Sequence, residues 1–291
     1  IYWRMLSYQH GYHAGNHADV LKHSILTLIL TRLTQKDRPL TYMDSHAGAG
    51  LYHLEGDQAR KTGEADSGIL KLLGLNDAPN QLVPYLSLCK RYHTDGAWYP
   101  GSPTIAAELT RPGDDLILME LHPAEHTQLK GALDSDPRAH VHHRDGFQGL
   151  VALSPPVHRR GLVLMDPSYE TDEDYQNVAK AASALMRRWP EAVVAVWYPL
   201  VSRRKNATET LKKKVAECGK GETLCAELCP AGISDNEWGL YGSGMLVVNP
   251  PWKLEDDIAE CIPWLTRALA DDSRGTSDYG RLLAQEAEGG C

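Results

Sequence analysis

Four strand-length runs in this chain, three of them apolar, each deliver an acidic residue at or just past their carboxyl end, with helix-like stretches between them. The runs are Tyr42-Met43-Asp44, Leu116-Ile117-Leu118-Met119-Glu120, the segment 139–143 leading into Arg144-Asp145, and Gly161-Leu162-Val163-Leu164-Met165-Asp166. Strand-length apolar runs alternating with amphipathic stretches fold as βαβ units around a mostly parallel sheet covered by helices. Further strands are predicted over 192–198, 223–228 and 244–248, which makes seven. A first helix is predicted over 17–33, where Val20, Leu21, Ile25, Leu28, Ile29 and Leu33 recur at helical spacing behind Asn16, a natural N-cap.

Between the first two strands, 51–114 is far longer than the dozen or so residues that a crossover needs. The excess predicts an inserted helical unit, set at 51–98, with helical patterning over 69–75 and 82–91. The main domain is then expected over 5–50 and 99–270. The polar, glycine-containing segment 271–291 is expected to fray as a flexible tail. Residues 1–4 precede Met5, a plausible initiator, and are set aside.

With 291 residues and 42% hydrophobic content, the chain can bury a full core. It has no apolar run near the roughly 18 residues of a membrane span and no signal-peptide pattern, so a cytoplasmic address with no membrane attachment is expected. The cysteines Cys89, Cys218, Cys225, Cys229, Cys261 and Cys291 have no C-x-x-C spacing, which argues against a zinc ribbon or a disulfide framework. A net charge of -8 excludes a protein that coats nucleic acid indiscriminately, because such binding neutralises many phosphates. Basic residues still gather at Arg32, Lys36 and Arg38, at Arg159-Arg160, at Arg187-Arg188, and at Arg203-Arg204-Lys205 with Lys212-Lys213-Lys214. They form a nucleic-acid footprint only if the fold collects several on one face.

The strand tips carry the chemistry. After Asp44 the chain enters Gly48-Ala49-Gly50, a G-x-G turn where backbone can approach a ligand closely while Asp44 accepts hydrogen bonds from it. Glu120 sits where nucleotide-binding folds grip ribose hydroxyls. Asp145 is suited to an adenine amino group, with Phe147 over the ring. In Asp166-Pro167-Ser168-Tyr169, the carboxylate and the Pro167 carbonyl can accept both hydrogens of an exocyclic amine, freeing its delocalised lone pair to attack a methyl group. Tyr169 offers a face for stacking an extruded base. Asn249-Pro250-Pro251-Trp252 imitates this motif but ends the seventh strand, away from the cofactor acids, and reads as a structural turn, with Trp252 a possible border of the substrate path. His13, His17, Asp19 and His23 invite a metal reading, but interrupting glycines and the missing H-E-x-x-H pattern argue against one, so no metal is assigned.

On these motifs the chain resembles the bacterial 23S ribosomal RNA adenine-N6 methyltransferases of the RlmJ type. The resemblance runs from Met5 to near Leu269. Besides the strand tips it is carried by Met5-Leu6-Ser7-Tyr8, by His13-Ala14-Gly15-Asn16-His17-Ala18-Asp19-Val20-Leu21-Lys22-His23, and by Tyr99-Pro100-Gly101-Ser102-Pro103. It implies a monomeric, Rossmann-like class I methyltransferase with an α/β fold and a small helical insertion, using S-adenosylmethionine on 23S ribosomal RNA. By motif match, His23, His46, Ser102, Glu120, Asp145 and Gly146 contact the cofactor, Asp166 is catalytic with Pro167 and Tyr169 beside it, and Tyr8 and Lys22 face the RNA. Asp44 and Gly48 join the cofactor set on the residue reading alone. The family usually has a second proline where this chain has Ser168, which loosens the loop that aims the Pro167 carbonyl. Rival readings are an adenine-N6 methyltransferase acting on DNA, a protein-glutamine methyltransferase, and a non-catalytic RNA-binding assembly factor. A bound cofactor whose sulfonium points elsewhere, with Asp166 sealed inside a salt bridge, would overturn the catalytic assignment.

Overall fold

The side chain of Asn16 accepts hydrogen bonds from the backbone N–H groups of Ala18 and Asp19, both at 2.9 Å, and so starts α1 (His17–Thr34). The computed structural model describes residues 9–219, 221–231, 239–270 and 274–282. After α1 come β1 (Thr41–Asp44), β2 (Leu51–His53), α2 (Asp57–Thr62), α3 (Glu64–Ser67), α4 (Ile69–Leu73), α5 (Val83–Thr94) and β3 (Trp98–Pro100). There follow α6 (Ser102–Leu109), β4 (Asp115–Glu120), α7 (Pro123–Ala132), β5 (Ala139–His143), α8 (Gly146–Ala152), β6 (Gly161–Met165) and α9 (Asp172–Arg188). The chain continues through β7 (Val193–Val201), α10 (Lys205–Ala216), β8 (Thr223–Cys229), β9 (Leu240–Val248), α11 (Leu254–Leu269) and β10 (Thr276–Leu282).

One sheet has the order β10-β8-β9-β7-β6-β1-β4-β5. From β5 to β7 every neighbour is parallel, and β9 and β10 enter antiparallel. Every residue of β1 and β6 is buried, as expected of central parallel strands covered on both faces. Successive side chains alternate between two cores. Tyr42 joins the layer under α1, α5, α6 and α11, and Met43 joins the layer under α8 and α9, closed by fully buried Trp189. The chain leaves β1 toward β4 on one side while β6 flanks it on the other. The carboxyl edge at such a reversal is where open α/β sheets bind ligands.

Among the described residues the sheet has eight strands, not seven. The additional strand, β10, falls inside the stretch expected to fray, and pairs with β8 along its length from Thr276↔Cys229 to Leu282↔Thr223. Its sequence, Thr-Ser-Asp-Tyr-Gly-Arg-Leu, lacks an apolar alternation because it is an edge strand open to solvent. The insertion is largely helical, but β2 and β3 pair antiparallel as its neck, so the closing strand crosses the expected boundary at 98. Ile69, Leu72, Leu82, Tyr85 and Leu88 join the same core as α1, and the insertion is therefore continuous with the main domain.

Candidate active site

At the carboxyl edge of β1, β4, β5, β6 and β7 lies a cavity of about 420 Å³. His23, His46, Gly48, Ser102, Glu120, Asp145, Gly146, Lys22, Asp166, Pro167 and Tyr169 all line it. Two sequence-derived residues are not among them. Asp44 does not line the cavity, and Tyr8 lies outside the described residues.

The turn after β1 is tied to the tip of β4 through Glu120. One carboxylate oxygen accepts from the Gly48 N–H at 2.8 Å and the other from the His122 N–H at 2.6 Å, leaving remaining lone pairs toward the cavity. Gly48 adopts φ +61°, and a Cβ there would come within 2.1 Å of the Tyr52 hydroxyl. Asp145 caps α8 by accepting from Gln148 N–H at 2.9 Å. At the next position a Cβ on Gly146 would lie 1.8 Å from the Ser45 carbonyl oxygen. Glycine is thus required for the β1 and β5 tips to meet and form one wall. His46 and Phe147 cross edge to face with centroids 5.0 Å apart.

Asp44 has a different job from the one read in the sequence. It is fully buried, and its carboxylate accepts from Tyr42 and Ser102 hydroxyls at 2.7 Å each and from the His46 N–H at 3.2 Å. Burial pushes its pKa up to about 6, against these hydrogen bonds. It braces the floor beneath Ser102 and His46 and does not present a carboxylate to a ligand. Period-2 geometry carried the signal, since Tyr42 and Asp44 share one face of β1.

Asp166 is paired but not sealed. Its Oδ2 accepts from Lys22 Nζ at 2.5 Å, and its side chain retains 15% exposure at the cavity. Lys22 also reaches Asp19 Oδ1 at 2.8 Å, and Asp19 Oδ2 accepts from the His10 ring at 2.9 Å and from the Gly15 N–H at 2.9 Å. Burial opposes the charge on Lys22, yet the Asp166 and Asp19 carboxylates hold its pKa above the usual lysine value. Burial likewise opposes ionisation of Asp19, and His10 and Lys22 hold it well below the usual carboxylate range. His10 and Asp19 line the same cavity; sequence reasoning weighed Asp19 only for a metal and did not single out His10. The only trace was Asp19 three residues before Lys22, a spacing that helices place on one face.

Tyr169 reaches the cavity only along an edge. It is 3% exposed and takes φ +48°, its ring packs on Tyr175 and Trp197 at 4.6 and 5.9 Å, and its hydroxyl donates to the Trp197 carbonyl at 2.7 Å. Most of the stacking face expected of it is covered. Arg204 fastens the same loop, donating to the carbonyls of Tyr169 and Glu170, and so steadies the exposed Ser168 position.

Topology settles the second candidate motif. Because β9 runs antiparallel to β7, Asn249 emerges at the opposite sheet edge, where its amide donates to the Pro190 and Ala192 carbonyls at 2.9 Å each. Trp252 is 79% exposed there and does not border the cavity. Most basic groups lie at that same edge. Arg160 donates to the Leu33 and Arg38 carbonyls, Arg188 to the Ser154 carbonyl, and Arg32 pairs with Asp257 at 2.6 Å. Arg203 and Arg204 are the members that reach the cavity lip.

His13 ties the N-terminal motif to the insertion, its Nδ1 lying 2.9 Å from Glu64, which also accepts from the Asn16 amide at 2.9 Å. The hydrogen bond to Glu64 raises the His13 pKa. Burial opposes the charge on Glu64, but the His13 and Asn16 hydrogen bonds outweigh it and lower the Glu64 value. A raised histidine stabilises fully below its unfolded value and loses that contribution as pH rises through the folded one. A lowered carboxylate stabilises above its unfolded value. The window is thus about pH 4.5 to 6.5. Glu64→Gln is expected to lower Tm by roughly 1–3 °C at about pH 5.5 and by less at pH 9, as both side chains are partly solvated. Calorimetry showing an equal loss at both pH values would refute the charged pair.

Among the described residues, no helix is long and apolar enough to cross a membrane. A family model described as ribosomal RNA large subunit methyltransferase D, RlmJ, matches residues 37–280. The chain is 42% identical to ribosomal RNA large subunit methyltransferase J of Escherichia coli, over 97% of this chain and all of that one. It is 41% identical to the protein of the same name from Haemophilus influenzae, over 94% of this chain and 97% of that one. A crystal structure of a Legionella pneumophila protein superposes with a TM-score of 0.84 at 32% identity, covering 94% of this chain and 99% of that one.

Proposed function

Since this chain belongs to the RlmJ family of large-subunit ribosomal RNA methyltransferases, we propose that it methylates the exocyclic N6 of one adenine in 23S ribosomal RNA. The observation that carries this reading is Asp166-Pro167 at the tip of β6, sharing one cavity with Glu120 and Asp145 at the tips of β4 and β5. The donor set fits S-adenosylmethionine. Glu120 retains acceptor capacity for ribose hydroxyls, Asp145 with Phe147 suits an adenine ring, and glycine at 146 and 48 lets the wall that carries them close up against Ser45 and Tyr52. Burial holds His23 and His46 below the usual histidine pKa, so both offer neutral imidazoles.

When bound, the cofactor supplies a sulfonium-activated methyl group. The protein's part is to prepare the amine. Asp166 accepts one N–H of the target amine and the Pro167 carbonyl accepts the other, which draws the nitrogen toward tetrahedral geometry and exposes its lone pair. Lys22 fixes the orientation of the Asp166 carboxylate through one oxygen. The partly exposed Trp197, with the edge of Tyr169 packed beside it, borders the part of the cavity that an extruded base would enter. Arg203 at the lip suits a flanking phosphate.

The test is methyl transfer to tiled 23S RNA transcripts and to DNA of the same sequence, with digestion and mass spectrometry. One RNA tile should acquire N6-methyladenosine. Equal transfer to DNA would favour the DNA reading, and transfer to another atom would end the N6 assignment.

A further inference from the structure

Three buried polar side chains run from the inserted helices to the cavity. Tyr85 on α5 and Tyr99 on β3 bring their hydroxyls within 3.1 Å, and the Tyr99 hydroxyl lies 2.6 Å from Nδ1 of His23 on α1. His23 lines the cavity, and none of the three is more than 1% exposed. Water therefore does not compete for these bonds. Burial keeps His23 neutral and pushes both phenols well above their usual pKa, so the chain carries no charge near neutral pH.

A neutral imidazole has one N–H and one lone pair, and the partner of one nitrogen decides the role of the other. The 2.6 Å separation lies within the range of about 2.5–3.0 Å for O–H donors and just short of the range of about 2.7–3.2 Å for N–H donors, which favours Tyr99 as the donor. An imidazole nitrogen is also a better acceptor than a phenol oxygen. Tyr99 therefore donates to Nδ1, and Tyr85 can donate to the Tyr99 oxygen in turn. The proton of His23 is left on Nε2. We propose that Tyr99 and Tyr85 are positioning residues that lock His23 as its Nε2–H tautomer, giving the cavity a neutral N–H donor for a carboxylate such as that at the methionine end of the cofactor. This rests on the cofactor reading above. It also gives the insertion a task at the site, because Tyr85 belongs to it.

The tautomer can be read directly in long-range proton–nitrogen spectra of the ligand-free, 15N-histidine-labelled full chain. His23 should show the Nε2–H pattern. In Tyr99→Phe the Nδ1–H form should appear, and the Kd for S-adenosylhomocysteine by calorimetry should rise about tenfold, the size of one buried hydrogen bond. Tyr85→Phe, one step further out, should weaken binding about threefold. An Nδ1–H pattern in the unaltered protein, or a Tyr99→Phe variant binding within about twofold of it, would overturn the proposal. If Tyr99→Phe fails to fold, the unaltered protein and Tyr85→Phe still decide. If the unaltered protein binds no S-adenosylhomocysteine, the cofactor reading falls while the tautomer measurement still judges the relay.

Discussion

Asp166→Asn is expected to lower kcat at least about 100-fold while the Kd for S-adenosylhomocysteine stays within about threefold. The substitution keeps the shape of the side chain but replaces an acceptor-only carboxylate with an amide, which can turn a donor toward an amine that itself has only donors to offer. The cofactor wall is built elsewhere, from Glu120, Gly48 and Gly146, so binding has no reason to follow turnover. Lys22 keeps Asp19 as a partner, and the fold should survive. Single-turnover methylation and calorimetry on the same preparation check both halves. Turnover at the original rate would remove Asp166 from the chemistry, and a matching loss of cofactor affinity would make it a binding residue.

What could be read from the sequence divides along physical lines. The bounds of β1 and β4 were legible because parallel strands inside the sheet leave apolar runs closed by acids. β2 and β3 were not, since three residues carry no measurable period. β10 was not, because its place is set by hydrogen bonding to β8 and not by apolar side chains. At the site, residue types and strand order were legible but partners were not. Asp44 and Asp166 both sit at strand tips. One is saturated by Tyr42 and Ser102, while the other meets an ammonium 144 positions away in sequence. Order alone demoted Asn249, but antiparallel pairing of β9 supplies the stronger reason, a position at the far edge of the sheet.

That distant ammonium leads to the other large effect. Lys22→Met should cost about 3–5 kcal/mol, because it removes the cation from a buried triad and leaves Asp19 and Asp166 without it. For a domain of this size the loss corresponds to a fall in Tm of roughly 10 °C. His10 still pairs with Asp19, so the larger share of the damage falls on Asp166, whose Oδ2 has lost its anchor. Turnover should therefore drop with stability, even at temperatures where the variant is fully folded. The double variant Lys22→Met with Asp19→Asn separates the two consequences. Neutralising Asp19 removes one of the two buried carboxylates that have lost the lysine and should return part of the lost Tm, but it cannot reorient Asp166, so kcat should stay low. A thermal melt and a methylation assay on both variants decide the matter. Recovery of turnover along with Tm would mean that Lys22 serves only the fold, and an unchanged Tm in Lys22→Met would mean that the triad is solvated and contributes nothing.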